Sequence, residues 1–251
     1  LYDVYLEDLA EEGIGGYVDG GYPEAIVGDN PRTPSVVESR SGFSSMGLDR
    51  SYQGDGVSAA EALVEMRVTA AHEYMHSIQF GYDAEESADW LWEATANWMM
   101  EEIYQNEDAG HSELHNAYDS PDRAPHGEST DWYARWIFFR YISDQYGHEA
   151  VKAIWEAARE QDGYRAIETA LNSVGTTLDD VMRGYALALL TNDFVENGEY
   201  PTVRLEGAVT DSFRPADGVE SLGADYLVIQ GTGPLTVRLE AAGLEGRVVG
   251  I

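Results

Sequence analysis

The chain contains no cysteine. Disulfides, thiolate metal sites and cysteine nucleophiles are therefore excluded. Lysine is almost as scarce, with Lys152 the one lysine among fifteen basic residues. Those fifteen stand against 46 acids, a formal net charge of −31. So few cations leave nothing to neutralise phosphates, which argues against nucleic acid and against anionic membranes as partners. No apolar run approaches the ~18–20 residues that cross a bilayer, so no membrane span is expected. The chain begins at Leu1 without a signal peptide. The expectation is a mature form, or a fragment, of a secreted, extracellular protein.

What is present suits a globular α+β protein. Hydrophobic residues make up 43% and charged residues 24% of 251 positions, enough for a sizeable core. The acids are spread along the chain, which argues against a disordered acidic tail. Two readings of the charge stay open: solubility outside the cell, and adaptation to high salt, where screening relieves self-repulsion.

Texture changes along the chain. LYDVYL (1–6) alternates like a strand, 13–35 is rich in turn residues, and SGFSSMGL (41–48) reads as another short strand. Residues 58–80 predict one helix, opened by a Ser58/Glu61 capping box and stopped at Gly81. A second helix is expected over 88–104, started by Ser87 or Asp89, and a long surface loop over 106–130. Further helices are expected over 131–146, 149–161, 164–173 and 178–190, the last with a Thr177/Asp180 cap. From 201 on, PTVRLEGAV, ADYLVIQG and LTVRLEA alternate between turns and predict a small antiparallel β module over 201–251, ending abruptly at GRVVGI. The division expected is 1–200 and 201–251.

The chemistry sits in HEYMH, residues 72–76. His72 and His76, four apart, project from one helical face and can share a metal ion. Glu73 lies beside such an ion rather than on it, where it can take a proton from water. Catalytic zinc needs a third protein ligand and an open fourth position. Gln79 and Tyr82 stand where the metzincin pattern needs Gly and His, so that subclass is excluded. Glu93, in WLWEATANW, follows His76 after sixteen intervening residues, room for a loop and a return helix. Trp90, Trp92 and Trp98 would bury that helix, and a carboxylate among them needs a partner. Asp83 and Asp89 are rival ligands. Asn97, one turn beyond Glu93, could accept a hydrogen bond from the ring of His72.

HEYMH with WLWEATANW resembles the gluzincin metalloproteases, the group that includes thermolysin and the zinc aminopeptidases. More closely, TAAHEYMHSIQFGYD with WLWEATANW resembles a family of predicted secreted bacterial metalloproteases noticed in myxobacterial genomes. Two departures stand out: Asn97 replaces the acid found in thermolysin-like enzymes, and the spacing to Glu93 is slightly shorter. The resemblance covers about residues 58–190. It implies a zincin-like domain with a small N-terminal sheet, the HExxH helix beneath it, and a mainly helical C-terminal lobe across a cleft. It implies no particular substrate.

A zinc peptidase also needs a donor for the oxyanion. Tyr133, Arg135, Tyr141, His111, His115 and His126 are the candidates. Tyr133 is favoured because the catalytic tyrosine of zinc aminopeptidases also opens a helix that ends near a glycine, here Gly147. Trp132, Trp136, Phe138 and Phe139 read as core. The acidic clusters DAEESAD (83–89) and NEDAG (106–110) are candidates for calcium, but neither has the alternation of a loop site, and solvated surface is the better reading. The expectation is a zinc-dependent peptidase, His72, His76 and Glu93 holding Zn2+ and Glu73 and Tyr133 catalytic. Its substrate would be a peptide or protein, paired along an edge strand near 41–48. The alternatives are a non-catalytic surface protein with a structural or degenerate zinc site, and a zinc hydrolase of another substrate.

Overall fold

The structure, a computed structural model, describes residues 2–9, 11–20, 26–52, 57–107, 109–127, 129–195, 200–214 and 218–231. Its N-terminal strands are β1 (Val4–Glu7), β2 (Gly16–Asp19), β3 (Ile26–Gly28), β4 (Ser41–Gly42) and β5 (Ser45–Asp49). β5 pairs with β1 in parallel and with β2 antiparallel, giving the order β1-β5-β2; β3 and β4 form a separate ribbon. Two expectations change here. The 13–35 segment contains strands as well as turns, because β2 and β3 are too short for alternation to show. Within 41–48, β5 is not an edge: it is paired on both sides and its Met46 and Leu48 are buried, whereas β4 pairs with β3 alone.

α1 (Ala59–Tyr82) packs under β2 and β5. Its N-terminus is the expected capping box, with the Ser58 hydroxyl accepting from the Glu61 N–H and the Glu61 carboxylate accepting from the Ser58 N–H. Gly81 does not stop it. The helix runs to Tyr82, the Asp83 N–H bonds the Gln79 carbonyl at 2.8 Å, and the Asn30 amide reaches the Gly81 carbonyl at 3.4 Å. α2 (Asp89–Ile103) returns alongside α1. Its cap is Ala88, with no side-chain bond, rather than Ser87 or Asp89. The carboxylate of Glu86 answers the Ala88 N–H instead.

Residues 106–130 are not a plain surface loop. They hold a 3-10 turn (His111–Glu113), α3 (Leu114–Asp119) and the start of α4 (Ser129–Trp132). Leu114, Ala117 and Tyr118 are fully buried, a helical i, i+3, i+4 stripe hidden among polar neighbours. The expected helix 131–146 is broken as well. A 3-10 turn over Tyr133–Arg135 separates α4 from α5 (Trp136–Tyr146). α6 (His148–Ala158), α7 (Tyr164–Ser173) and α8 (Leu178–Thr191) complete the lobe. Trp136, Phe138, Phe139, Ile142, Trp155 and Leu171 have almost no exposure and form its centre with Leu91 and Ala94. Full burial of such large apolar side chains stabilises by about 1.5–3 kcal/mol each.

β6 (Gly207–Val209) and β7 (Leu227–Ile229) pair in parallel, not antiparallel as expected. The connection from Val209 to Leu227 is long enough for the crossover a parallel pair requires. Val203 and Tyr226 belong to the lobe's core cluster, and the Tyr226 hydroxyl bonds the Ala186 carbonyl at 2.7 Å. The strand expected in LTVRLEA lies outside the described residues. Among the described residues, no helix is long and apolar enough to cross a membrane.

The charge of −31 sets a stability prediction. Repulsion between exposed acids is screened over ~30 Å at 0.01 M salt but ~3 Å at 1 M. The melting temperature, read by scanning calorimetry, is expected to rise clearly across that range. A flat or falling series would count against self-repulsion as a main destabilising term.

Candidate metal centre

α1 and α2 run side by side, and their facing sides bring three ligand atoms together. His72 Nε2 lies 3.0 Å from His76 Nε2. Glu93 Oε2 lies 3.3 Å from the first and 3.6 Å from the second. Donors held ~2.1 Å from one ion at tetrahedral angles are about 3.4 Å apart. The three separations bracket that value. Among the described residues, this is the one group of three or more metal-ligating side chains that could hold an ion.

The surrounding hydrogen bonds decide which way the imidazoles face. Asn97 Nδ2 donates to the Tyr133 carbonyl at 3.2 Å, which orients its amide. Its Oδ1 must then accept from His72 Nδ1, 2.8 Å away. Gln79 is oriented the same way, donating to the Trp92 carbonyl at 2.9 Å and the Thr95 hydroxyl at 2.8 Å. Its Oε1 accepts from His76 Nδ1 at 2.7 Å. Both neutral imidazoles thus carry their proton on Nδ1 and turn an Nε2 lone pair inward. Glu93 Oε2 is buried with no hydrogen-bond partner. Two ring nitrogens and a carboxylate oxygen converge on one point, an arrangement that could hold a metal ion.

The electrostatics agree. Burial works against charging His76, but the Glu93 carboxylate outweighs it and the pKa of His76 is raised. Burial also pushes the Glu93 carboxyl up, yet the histidines pull it well below the usual carboxylate range. Both shifts come from the pairing of the histidines with the Glu93 carboxylate, which favours a proton there as well as a metal ion.

Glu73 is in none of these bonds. It is 7% exposed, between α1 and the sheet, and burial raises its pKa while the two histidines partly oppose the rise. β2 passes so close that a Cβ on Gly16 would stand 2.9 Å from Glu73 Cγ. A glycine is what lets the strand lie against the carboxylate here. β2 is also the sheet's terminal strand on this side.

Of the oxyanion candidates, Tyr133 is at the cluster. Its ring stacks on His72 with centroids 6.1 Å apart. Burial, then the nearby Glu93 carboxylate, raises its phenol well above the ordinary value. The others have neighbours elsewhere. His111 stacks on Trp136, His115 lies beside Asp119, His126 bonds the Tyr164 hydroxyl, and Arg135 and Tyr141 neighbour Tyr185. The rival ligands are engaged elsewhere too. Asp83 is buried against Arg40 at 2.5 Å, and burial lifts its pKa to about 6. Asp89 lines a groove at the start of α2.

In DAEESAD, Asp83 pairs with Arg40 and Glu86 binds backbone N–H groups, so this stretch is wired into the fold rather than merely solvated. NEDAG includes Asp108, outside the described residues.

Sequence reading missed Gln79 as the partner of His76. The available signal was an amide three residues after a ligand histidine, on the same helical face.

Fold and site together define an α+β protein in which two histidines and a glutamate that could hold a metal ion lie between a small sheet and a helical lobe. The chain belongs to the family described as "Family of unknown function (DUF6055)", which matches residues 55–230, more than half its length. No curated protein and no solved structure matches it.

Proposed function

We propose that the chain is a zinc-dependent peptidase of zincin type, with His72, His76 and Glu93 as ligands. The observation that carries this reading is the convergence of two Nε2 lone pairs and Glu93 Oε2, with Asn97 and Gln79 holding the histidines in that tautomer. Zinc rather than calcium or magnesium suits two imidazoles and one carboxylate. When bound, zinc supplies a Lewis acid that lowers the pKa of water to about 7.

The chain's own residues do the rest. Glu73, next to the ligands but outside their set, takes a proton from the attacking water and hands it to the leaving amine. Its burial between α1 and the sheet keeps bulk water from competing for that proton. Tyr133 offers a hydroxyl at the cluster, where negative charge grows on the substrate carbonyl. The peptide lies extended alongside β2, the sheet's terminal strand, which runs past Glu73, and pairs with it through backbone hydrogen bonds.

A digest of casein or a mixed peptide library tests the reading. The zinc-loaded chain should cleave, a chelator should stop it, and added zinc should restore it. Tyr133→Phe should keep zinc and fold while turnover falls by roughly 10²–10³, the effect of one lost oxyanion donor. Metal binding with no cleavage of any peptide would favour a structural site or another substrate.

A further inference from the structure

A groove of about 450 Å³ opens where the N-termini of α2 and α7 meet the turn before α4. Trp90, Trp132, Tyr164 and His126 form its walls, with Asp89 and Asp162 among them. Two helix N-termini would by themselves favour an anion. Here that demand is met from within: buried Glu86 accepts the N–H of Ala88 at 2.8 Å and that of Gly163 at 3.1 Å. The remaining charge on the groove is carboxylate. Asp162 is shared with the Ser87 hydroxyl at 3.0 Å and with Arg40 at 3.5 Å. Asp89 is exposed and makes no ion pair with any described residue.

The aromatic groups have their polar edges tied down. Trp132 Nε1 donates to the Gly127 carbonyl at 3.0 Å, and the Tyr164 hydroxyl is bonded to His126 at 2.9 Å. Trp132 and Tyr164 are half-buried and line the groove, while buried Trp90 packs behind Tyr164 with ring centroids 5.2 Å apart. Flat π surface beside an uncompensated carboxylate is the environment that holds a guanidinium or an ammonium. The groove is open to solvent and has room for a long side chain.

The groove and the metal cluster share α2 and the chain around α4. Asp89 and Glu93 are four apart on α2, hence on one face and about 6 Å apart along the axis. Trp132 precedes Tyr133, whose ring stacks on His72. A peptide with its scissile bond at the cluster would pass a side chain to this groove one or two residues away, since extended residues are ~3.4 Å apart.

We propose that this groove recognises a basic side chain, with Asp89 as its counter-charge and Trp132 and Tyr164 as its walls. As a substrate subsite it rests on the peptidase reading; as a cation-binding groove it does not. Calorimetric titration of the zinc-loaded protein with butylguanidinium, and with butylurea as its neutral counterpart, tests the groove without any turnover. Butylguanidinium should bind at one site, butylurea at least about tenfold more weakly, and Asp89→Asn should remove most of that difference. Equal binding of the two, tighter binding of pentanoate, or an unchanged Asp89→Asn would overturn the proposal.

A second arm compares peptides differing only in arginine against citrulline beside the cleaved bond. The wild type should prefer arginine by about tenfold or more in kcat/KM, and Asp89→Asn should bring the ratio towards one. Cleavage without that preference removes the subsite and leaves the peptidase. Butylguanidinium binding without any cleavage removes the peptidase, and with it the subsite role, and leaves the cation groove.

Discussion

Glu73→Gln protein is expected to keep its zinc and its fold and to hydrolyse peptide roughly 10³-fold more slowly than wild type. The amide has the size of the carboxylate, so packing against Gly16 is preserved, and none of the three ligand atoms is altered. What disappears is the ability to accept a proton. Near-normal turnover in the variant would remove Glu73 from the mechanism, and loss of zinc would make it a ligand or a structural group.

Glu93→Ala is expected to lose zinc by more than the 10–100-fold typical of removing an outer partner of a metal site. Glu93 Oε2 is one of three inward atoms, and two imidazoles alone leave an incomplete set. The consequence is measurable without substrate. A metal that binds only the folded chain stabilises it by about 4 kcal/mol at a thousandfold excess over its Kd. Zinc should raise the melting temperature of the wild type and leave that of Glu93→Ala nearly unmoved, with metal content per chain falling in parallel. Asp89→Asn, altered one turn away in a side chain outside the cluster, should keep its zinc. Full zinc in Glu93→Ala with loss in Asp89→Asn would reverse the assignment of the third ligand.

Much of the site can be read along the chain because helices are local. Histidines four apart must share a face, a capping box marks where α1 begins, and a carboxylate among tryptophans on the next helix has few reasons to be there. Gln79 was harder. Its role depends on Trp92 and Thr95 from α2 holding its amide in one orientation, and no spacing within α1 reveals that. Tyr133 was placed at a helix start, whereas it occupies a 3-10 turn between two helices.

The strands show the limit of local reading. SGFSSMGL reads as one short strand, yet its first part joins β3 in a two-stranded ribbon and only pairing with β1 and β2 puts its second part, β5, in the centre of the sheet. β2 is four residues of no obvious strand character, yet it lies against Glu73. The pairing of β6 and β7 is parallel because of where the long connection returns the chain, not because of anything in either strand.

By itself, the sequence determined the absence of thiol chemistry, the acidic surface, the main helices and the two histidines with their neighbouring glutamate, since each depends on composition or on contacts within a few residues. Only the tertiary structure decided that Glu93 rather than Asp83 or Asp89 joins the two histidines, that Gln79 joins Asn97 in turning them inward, that β2 ends the sheet beside Glu73, and that Asp89 lines an aromatic groove. Those are relations between elements far apart in the chain, set by how side chains pack and by which buried polar groups must find partners.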